Sequence, residues 1–382
     1  MKFIHTADWH LGKLVHGIYM TPNQREVLEQ FVDLVADEKP DAVIIAGDLY
    51  DRSVPPIDAV ELLDDILFKI NVTLKTPIIS IAGNHDSAER LSFGTSWYKH
   101  SQLHLSGKLT PFSLEPVRLN GANFYLLPYA EPGVVRQLLN DDSIHSHQDA
   151  MKALIGKIEE HLNPNEPNIL VGHAFVLGGQ TSDSERILSV GGSGCVSAEL
   201  FEPFSYTALG HLHSPDAIKH DKVKYSGSLL KYSFSEAKQR KAISIIEMDD
   251  KGLFTHRERY LIPSIDMHEL EGHMDELLDP QFYEKQKTND YVKITLLDEG
   301  EIIDPINKLR QVYPNVLHLE RKMDLTDLKH KQFYQSIRSE KKSEIELFEQ
   351  FYTEMTTAEF NQEKRETMAD IINSVLRGEA AK

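Results

Sequence analysis

The sequence predicts an α/β fold in which two sheets are stacked face to face. Three apolar runs typical of buried strands, residues 3–4, 42–46 and 77–82, alternate with helix signals in the first part of the chain. Three later runs, residues 123–127, 168–171 and 242–246, have fewer helix signals between them. We therefore expect the later strands to form a second sheet that packs on the first.

The first helix is predicted to begin near Thr21. Thr21 and Gln24 have the spacing of a capping box, and the proline between them suits the first helical position. Apolar residues then follow at helical spacing: Val27, Phe31, Leu34 and Val35. This element is typical of a helix that covers one face of a sheet.

The motif-bearing part of the chain ends near residue 262. Apolar runs at 291–296 and 316–319, separated by a helix-like stretch, predict a small β-α-β domain. Beyond about residue 323 the composition turns polar and charged, and helix signals follow. We predict a first domain over 1–262, a second, small domain over 266–325 and a C-terminal helical segment over 326–382.

Two further capping boxes, Ser343–Glu346 and Thr356–Glu359, indicate helices in the C-terminal segment. The first is followed by Phe348, Phe351, Tyr352 and Met355, and the second by Met368, Ile371, Ile372, Val375 and Leu376. Such apolar faces either pack within the chain or dock on a partner. The sequence leaves both alternatives open.

The composition is that of a globular protein outside the membrane. With 382 residues, 41% of them hydrophobic, the chain can bury a large core. No run approaches the roughly 18 consecutive apolar residues of a membrane span, and Met1–His5 leads into a strand rather than a signal peptide. We therefore expect a cytoplasmic location. The single cysteine, Cys195, excludes an internal disulfide and a cysteine-rich zinc site.

The formal net charge is −18, from 41 Lys and Arg against 59 Asp and Glu. This charge opposes unassisted binding to a polyanion such as DNA. Basic stretches at 219–224, 238–241 and 329–331 are candidates for phosphate contacts, although such runs are usually solvated faces.

Five short polar clusters carry the chemistry, and most of them directly follow an apolar run. They are Asp8-Trp9-His10, Gly47-Asp48-Leu49-Tyr50-Asp51, Gly83-Asn84-His85-Asp86, Gly172-His173 and Gly210-His211-Leu212-His213. Each supplies one to three oxygen or imidazole ligands, and a parallel sheet delivers such side chains to one crevice. Together they predict a two-metal centre that hydrolyses a phosphoester.

Two divalent ions about 3.5–4 Å apart are naturally held by a bridging carboxylate. Asp48 is the best candidate, because it follows a buried strand and the preceding glycine lets the backbone approach the ions. Asp8 and His10 are two residues apart, as are His211 and His213. In an extended segment each pair points the same way, so we expect each pair to hold one ion.

Asn84 and His173 complete the predicted set of metal ligands. The neutral amide of Asn84 suits a site rich in negative charge, and His173 adds a further nitrogen. Mixed Asp, Asn and His ligation without a thiolate favours Mn²⁺, with Fe²⁺ or Zn²⁺ as alternatives.

His85 lies beside a predicted ligand, but neither ion needs it. We therefore expect it to face the substrate as a general acid or as a donor to the phosphoryl oxygens. A nearby carboxylate, Asp51 or Asp86, would fix its tautomer. Arg52 and Arg90 follow two of the motifs, and each either contacts phosphate or forms a surface ion pair.

The five clusters resemble the pattern D-x-H, G-D-x-x-D, G-N-H-D, G-H and G-H-x-H of the calcineurin-like metallophosphoesterase superfamily. The resemblance covers about residues 1–262 and implies a four-layer α/β/β/α sandwich. It also implies two ligand sets that share one aspartate: Asp8, His10, Asp48 and His213 for one ion, and Asp48, Asn84, His173 and His211 for the other. By the same resemblance His85 would be catalytic.

More narrowly, residues 1–12, 47–51, 225–228 and 233–236 resemble the SbcD family, the nuclease subunits of bacterial SbcCD complexes. This resemblance implies a Mn²⁺-dependent exonuclease and endonuclease that processes DNA double-strand ends and hairpins in repair and recombination. It also implies that residues 266–325 form a capping domain, that the C-terminal segment docks on an SbcC-type ATPase, and that the chain forms a homodimer within a heterotetramer. The runner-up is a small-molecule phosphodiesterase or phosphatase of the same superfamily, which would need neither the capping domain nor the terminal helices.

Overall fold

The computed structural model describes residues 1–185, 194–298, 302–322, 343, 345–346, 348–349, 352 and 360–376. Their strands are, in chain order, β1 (Lys2–Thr6), β2 (Leu14–Val15), β3 (Ile18–Tyr19), β4 (Ala42–Ala46), β5 (Ile78–Ile81), β6 (Leu103–Ser106), β7 (Val117–Leu119), β8 (Ala122–Leu127), β9 (Asn168–His173), β10 (Phe175–Val176), β11 (Cys195–Val196), β12 (Tyr206–Gly210), β13 (Val223–Tyr225), β14 (Ala242–Met248), β15 (Phe254–Tyr260), β16 (Met267–Gly272), β17 (Tyr291–Leu296) and β18 (Val316–Arg321).

The α-helices of the same residues are α1 (Thr21–Glu38), α2 (Ile57–Phe68), α3 (Ala88–Leu91), α4 (Thr95–Tyr98), α5 (Pro132–Leu139), α6 (His147–Glu159), α7 (Met274–Leu277), α8 (Pro280–Tyr283), α9 (Pro305–Arg310) and α10 (Gln362–Leu376). The second helix continues into a π-helical turn, Lys69–Thr73. Among the described helices, none is long and apolar enough to cross a membrane.

Two sheets form the body of the protein. The first has the order β15-β14-β1-β4-β5-β6, in which β1, β4, β5 and β6 are parallel and β14 pairs antiparallel with both β1 and β15. The second has the order β13-β12-β9-β8-β7, in which only β7 is antiparallel. Their facing side chains share one core, which includes Phe3, Ile44, Ile79, Phe124, Ile169 and Tyr206. The predicted stacking of two sheets is confirmed.

Helices cover the outer face of each sheet. In α1, Val27 and Phe31 are buried in the core that lies outside the first sheet. In α6, Leu154 and Ile158 are buried in the core that lies outside the second sheet. The layers therefore follow the order α/β/β/α, and the predicted four-layer sandwich is confirmed.

The start of α1 differs from the prediction. The helix begins at Thr21, and no side chain caps it. Gln24 is fully buried and bonds instead to the loop after β1: its Nε2 donates to the carbonyls of Trp9 (3.1 Å) and His10 (2.8 Å), and its Oε1 accepts from the backbone N–H of Gly12 (3.1 Å). The capping-box prediction is wrong, because satisfying this loop uses the side chain that would have closed the box.

A third sheet, of order β16-β17-β18, follows the body. Strands β16 and β17 are parallel and are joined through α7 and α8, and α9 lies between β17 and β18. The sheet has its own small core, which includes Leu277, Val292, Ile294, Leu309 and Tyr313. The predicted β-α-β unit is confirmed, and β16 is an additional strand that we did not predict.

The chain divides into two compact units, residues 1–296 with 302–320, and residues 297–301 with 321–382. In the second unit, Ser343 donates from its backbone N and its Oγ to the Glu346 carboxylate, both at 2.8 Å. The helix α10 contains the second predicted apolar set. The Thr356–Glu359 box, Phe351, Met355 and the basic stretch 329–331 lie outside the described residues. The three predicted domain boundaries stay a prediction.

Candidate metal centre

The five polar clusters converge at one edge of the two stacked sheets. The strands β1, β4, β5, β9 and β12 end at or just before them, and parallel strands present their carboxyl ends at the same edge. Hydrogen bonds join the loops of the two sheets. The Asp8 carboxylate accepts from the backbone N–H of His211 at 3.0 and 3.1 Å, and His173 Nδ1 donates to the carbonyl of Ala46 at 2.9 Å.

The predicted ligands lie on a strongly bent backbone rather than on extended segments. Strand β1 ends at Thr6, and four residues of the centre have positive φ: Asp8 (53°), His10 (46°), Asp48 (50°) and His211 (106°). Residues with side chains rarely adopt this conformation, and it concentrates at functional sites. The expectation of extended Asp8–His10 and His211–His213 segments is therefore wrong.

Asp8, His10 and His213 form one cluster of ligand atoms. These atoms lie within 4.8 Å of one another, and all three side chains are buried. The Nε2 atoms of His10 and His213 are 3.0 Å apart. One carboxylate and two imidazoles thus point into the same small volume.

Asp48, Asn84, His173 and His211 form the adjoining cluster. Asn84 Oδ1 lies 2.9 Å from His173 Nε2 and 3.1 Å from His211 Nδ1. Asp48 Oδ2 lies 3.4 Å from His173 Nε2. The structure therefore brings all seven predicted ligands together in two neighbouring groups.

Asp48 lies between the two groups. Its Oδ2 is 3.7 Å from His10 Nε2 on one side and 3.4 Å from His173 Nε2 on the other. By contrast, His211 lies beside Asn84, whereas His213 lies beside His10. The expectation that His211 and His213 hold the same ion is wrong, because the left-handed turn at His211 sends the two rings into different groups.

The electrostatics of the centre suit cations. Burial raises the pKa of Asp8 well above its usual value, and the charge of Asp48 adds to this effect. Burial would also raise the pKa of Asp48, but His173, His10 and His85 hold it well below its usual value. Burial, together with the charge of His173, lowers the pKa of His211 to about 3. Hard oxygens and imidazoles at these positions, without a thiolate, fit two divalent cations.

His85 is held by backbone groups. Its ring Nδ1 donates to the carbonyl of Asp51 at 2.8 Å, and its backbone N–H donates to Asp48 Oδ1 at 2.8 Å. The predicted carboxylate partner is therefore replaced by a carbonyl, because the Asp51 carboxylate accepts from Lys13 Nζ at 2.7 Å. This arrangement fixes the tautomer and leaves Nε2 of His85 as the atom that can meet a substrate.

Asp86 joins two of the motif loops instead of contacting the ring of His85. Its carboxylate accepts backbone N–H groups from Leu49 (3.1 Å), Tyr50 (2.9 Å) and Gly83 (2.9 Å). Burial and the charge of Asp48 raise the pKa of Asp86 to about 7, and the N–H donors oppose that shift. Asp86 therefore shapes the backbone around the ligands.

Arg52 and Arg90 are exposed on the loop after β4 and on α3. The phosphate contact expected of each arginine stays a prediction.

Two glycines allow the loops to approach one another. A Cβ on Gly83 would collide with the backbone N and Oδ1 of Asp48, and a Cβ on Gly210 would collide with the carbonyl of Ala46. Gly83 and Gly210 are therefore required by the close packing of the backbone around the ligands.

Residues behind His213 were missed from the sequence. Glu236 is fully buried and accepts from Nδ1 of His213 at 3.2 Å, and Lys241 Nζ donates to Glu236 at 2.6 Å. Lys241 belongs to the basic stretch 238–241, which is predicted to face solvent or phosphate, but the residue is only 9% exposed. Glu236 lies in the segment that carried the narrower resemblance, yet no spacing rule connects it to His213.

Comparisons with known proteins agree with this geometry. A family model described as calcineurin-like phosphoesterase matches residues 1–215. A second model, SbcD_C, described as type 5 capsule protein repressor C-terminal domain, matches residues 263–356.

Two solved structures are similar in part. TT1561 of Thermus thermophilus is 15% identical, with 67% of this chain and 98% of that chain covered and a TM-score of 0.39. A dimetal phosphatase from Danio rerio is 13% identical, with 69% and 97% covered and a TM-score of 0.40. The phosphoesterase model, in contrast, matches more than half of the 382 residues. The chain therefore belongs to the calcineurin-like phosphoesterase family, and its C-terminal region is of the SbcD type.

Proposed function

We propose that this chain is the nuclease subunit of an SbcCD-type complex. It would hydrolyse DNA phosphodiester bonds with two Mn²⁺ ions, as a double-strand exonuclease and as an endonuclease on hairpins and single strands. The observation that carries the proposal is the presence, in one chain, of seven converging Asp, Asn and His ligands and an SbcD-type C-terminal region. Its setting would be DNA repair and recombination in the cytoplasm.

The two groups of side chains supply the proposed ligand sets. Asp8, His10 and His213 would hold one ion, and Asn84, His173 and His211 would hold the other. Asp48 would contribute to both, which is supported by its place between His10 and His173. Two bound divalent ions supply the positive charge that activates water and stabilises the phosphoryl oxygens.

His85 would act on the substrate. The carbonyl of Asp51 holds its Nδ1–H, so the protonated ring donates from Nε2 to the oxygen that leaves the phosphorus. The same hydrogen bond fixes the orientation of the ring before the substrate binds. Arg52 and Arg90 would supply charge to the phosphates that flank the scissile bond.

The net charge of −18 supports a partner that helps to hold the DNA. The basic stretches offer little free positive surface, since Lys222 pairs with Glu202 at 3.1 Å and Lys241 is buried against Glu236. An SbcC-type ATPase would supply the missing positive surface and any dependence on ATP. The C-terminal helical segment would be its docking site.

A homodimer within a heterotetramer would complete the proposed complex. Several large apolar side chains next to the motif loops are strongly exposed, namely Ile57 (77%), Phe93 (72%) and Trp97 (67%). Contact with a second copy would remove this apolar surface from water.

The alternative is a small-molecule phosphodiesterase or phosphatase, because one metal centre can serve several phosphoester substrates. The C-terminal match over residues 263–356 favours the nuclease, since a small substrate needs no such region.

The test is cleavage of an end-labelled hairpin duplex by the full chain with Mn²⁺, with and without an SbcC-type ATPase. A small chromogenic diester serves as the parallel substrate. We expect Mn²⁺-dependent DNA cleavage that the ATPase brings under ATP control. Turnover of the diester with DNA intact under every condition would replace the nuclease by the small-substrate enzyme.

A further inference from the structure

His213 has a second partner on the side opposite to His10. Its Nε2 faces His10 Nε2, whereas its Nδ1 lies 2.7 Å from Ser184 Oγ and 3.2 Å from Glu236 Oε1. Ser184 Oγ in turn donates to Glu236 Oε1. Ser184 Oγ is the nearer partner of Nδ1, and the imidazole is therefore held between the predicted ion and a Ser184–Glu236 pair.

The Glu236 carboxylate is fully enclosed by donors. It is 0% exposed, and none of the five motif clusters contains it. Besides Ser184 and His213, its donors are Ser182 Oγ (3.2 Å), Ser233 Oγ (3.2 Å), Tyr232 N (3.2 Å) and Lys241 Nζ (2.6 Å). A buried anion with this many donors is fixed in position and cannot turn away from His213.

Lys241 is the counter-ion, and it also contacts the histidine residue itself. Its Nζ donates to Glu236 Oε2 at 2.6 Å, to the carbonyl of His213 at 2.8 Å and to Gln239 Oε1 at 2.7 Å. One ammonium group therefore fixes both the carboxylate and the backbone of the residue that this carboxylate orients.

The physical effect of such a carboxylate is specific. A carboxylate that accepts from Nδ1 keeps the proton on Nδ1, so the lone pair is on Nε2 and the ring becomes a stronger donor to a metal. Because the Glu236 carboxylate is paired with the Lys241 ammonium, its negative charge is not left unpaired in the interior, where an unpaired charge would be strongly destabilising.

We propose that Glu236, with Lys241 as its counter-ion, is a positioning residue that aims Nε2 of His213 at the ion held by Asp8 and His10. This inference rests on the proposed two-metal function. Glu236 then affects the binding affinity of the ion held by Asp8 and His10. The affinity of the ion held by Asn84, His173 and His211 does not depend on it.

The test measures binding of Mn²⁺ rather than turnover. Free Mn²⁺ is followed by electron paramagnetic resonance while the full chain is titrated, for the wild type, Glu236→Gln and Glu38→Gln. Glu38 is the matched control, because it is a largely buried glutamate paired with Arg257 and Lys2 that contacts none of the ligands. We expect Glu236→Gln to weaken one of the two ions by about 10- to 100-fold, and Glu38→Gln to bind both as the wild type does.

Glu236→Asp guards against a variant that fails to fold. It keeps the charge and the pairing with Lys241 but withdraws the carboxylate by one methylene, so we expect an affinity between those of the wild type and Glu236→Gln. Wild-type affinity for both ions in folded Glu236→Gln or Glu236→Asp would overturn the inference, as would equal weakening of both ions. If the wild type itself bound no Mn²⁺, the proposed two-metal function would fail instead.

Discussion

The Nε2 atoms of His10 and His213 lie 3.0 Å apart, although 203 positions separate the two residues in the chain. His10 follows β1, an inner strand of one sheet, and His213 follows β12, an inner strand of the other. Their meeting requires the two sheets to be stacked with their carboxyl ends at the same edge. The four-layer fold thus creates the candidate metal centre.

Replacing His85 by Gln should remove turnover and keep the metals. Gln has a similar size but cannot deliver a proton from a position equivalent to Nε2, so we expect kcat on a diester to fall by about 10²- to 10⁴-fold. Binding of two Mn²⁺ per chain should persist, because neither proposed ligand set includes His85. His104→Gln, on β6, is the control and should retain wild-type kcat. Full turnover by metal-loaded His85→Gln would show that the catalytic role is wrong.

Replacing Gly83 by Ala should damage the centre through crowding alone. The new Cβ would collide with the backbone N and Oδ1 of Asp48, so we expect a loss of about 1–3 kcal/mol in the free energy of unfolding and at least tenfold weaker Mn²⁺ binding. Gly156→Ala in α6 meets no atom within 4 Å and should gain about 0.5–1 kcal/mol. Denaturant titration measures the free energy of unfolding of both variants. Equal stability of the two variants would contradict the crowding argument.

Gln24 should be needed for the loop that carries two of the ligands. Gln24→Leu takes the acceptor from the backbone N–H of Gly12 and removes one of two donors from each of the carbonyls of Trp9 and His10, so we expect a loss of about 1–3 kcal/mol in the free energy of unfolding. Gln30→Leu, whose hydrogen bonds to Ile262 are exposed, should lose less than about 1 kcal/mol. Similar losses in the two variants would mean that the Gln24 contacts do not support the loop.

His5 should make folding sensitive to acid. Burial lowers its pKa to about 3, whereas in the unfolded chain it has its ordinary value of 6.5. Between those values only the unfolded chain binds the proton. The free energy of unfolding is therefore unaffected by His5 above pH 6.5. Below that pH it declines as the unfolded chain takes up the proton, by up to about 1.4 kcal/mol per pH unit.

His5→Asn tests this contribution, since the amide can keep the contact that His5 Nδ1 makes with the Tyr206 hydroxyl at 3.0 Å. We expect the variant to lose less stability than the wild type between pH 6.5 and 5, as measured by urea unfolding at each pH. Parallel pH profiles for the two proteins would rule out the assigned pKa.

The convergence of the ligands could be predicted from the sequence because polar clusters follow buried parallel strands. The direction of each side chain could not. His211 and His213 are two residues apart, and only the left-handed backbone at His211 places them in different groups. The sequence pattern did not predict the partner of His85 either, because the backbone carbonyl of Asp51 replaces the expected carboxylate.

Buried polar residues outside the motifs were the least predictable part. Gln24 fits a capping box by spacing, and Lys241 fits a basic surface stretch by composition. Both are buried because tertiary partners far away in the chain, the loop after β1 and Glu236, satisfy them. Local patterns contain no information about such partners.

In the proposed centre, seven residues hold two divalent ions around Asp48. The most direct measurement is an anomalous difference map from crystals of the full chain grown with Mn²⁺. We predict two peaks, one among Asp8, His10, Asp48 and His213, and the other among Asp48, Asn84, His173 and His211. No peak at this edge of the sheets, or a single peak at full Mn²⁺ occupancy, would contradict the two-metal centre.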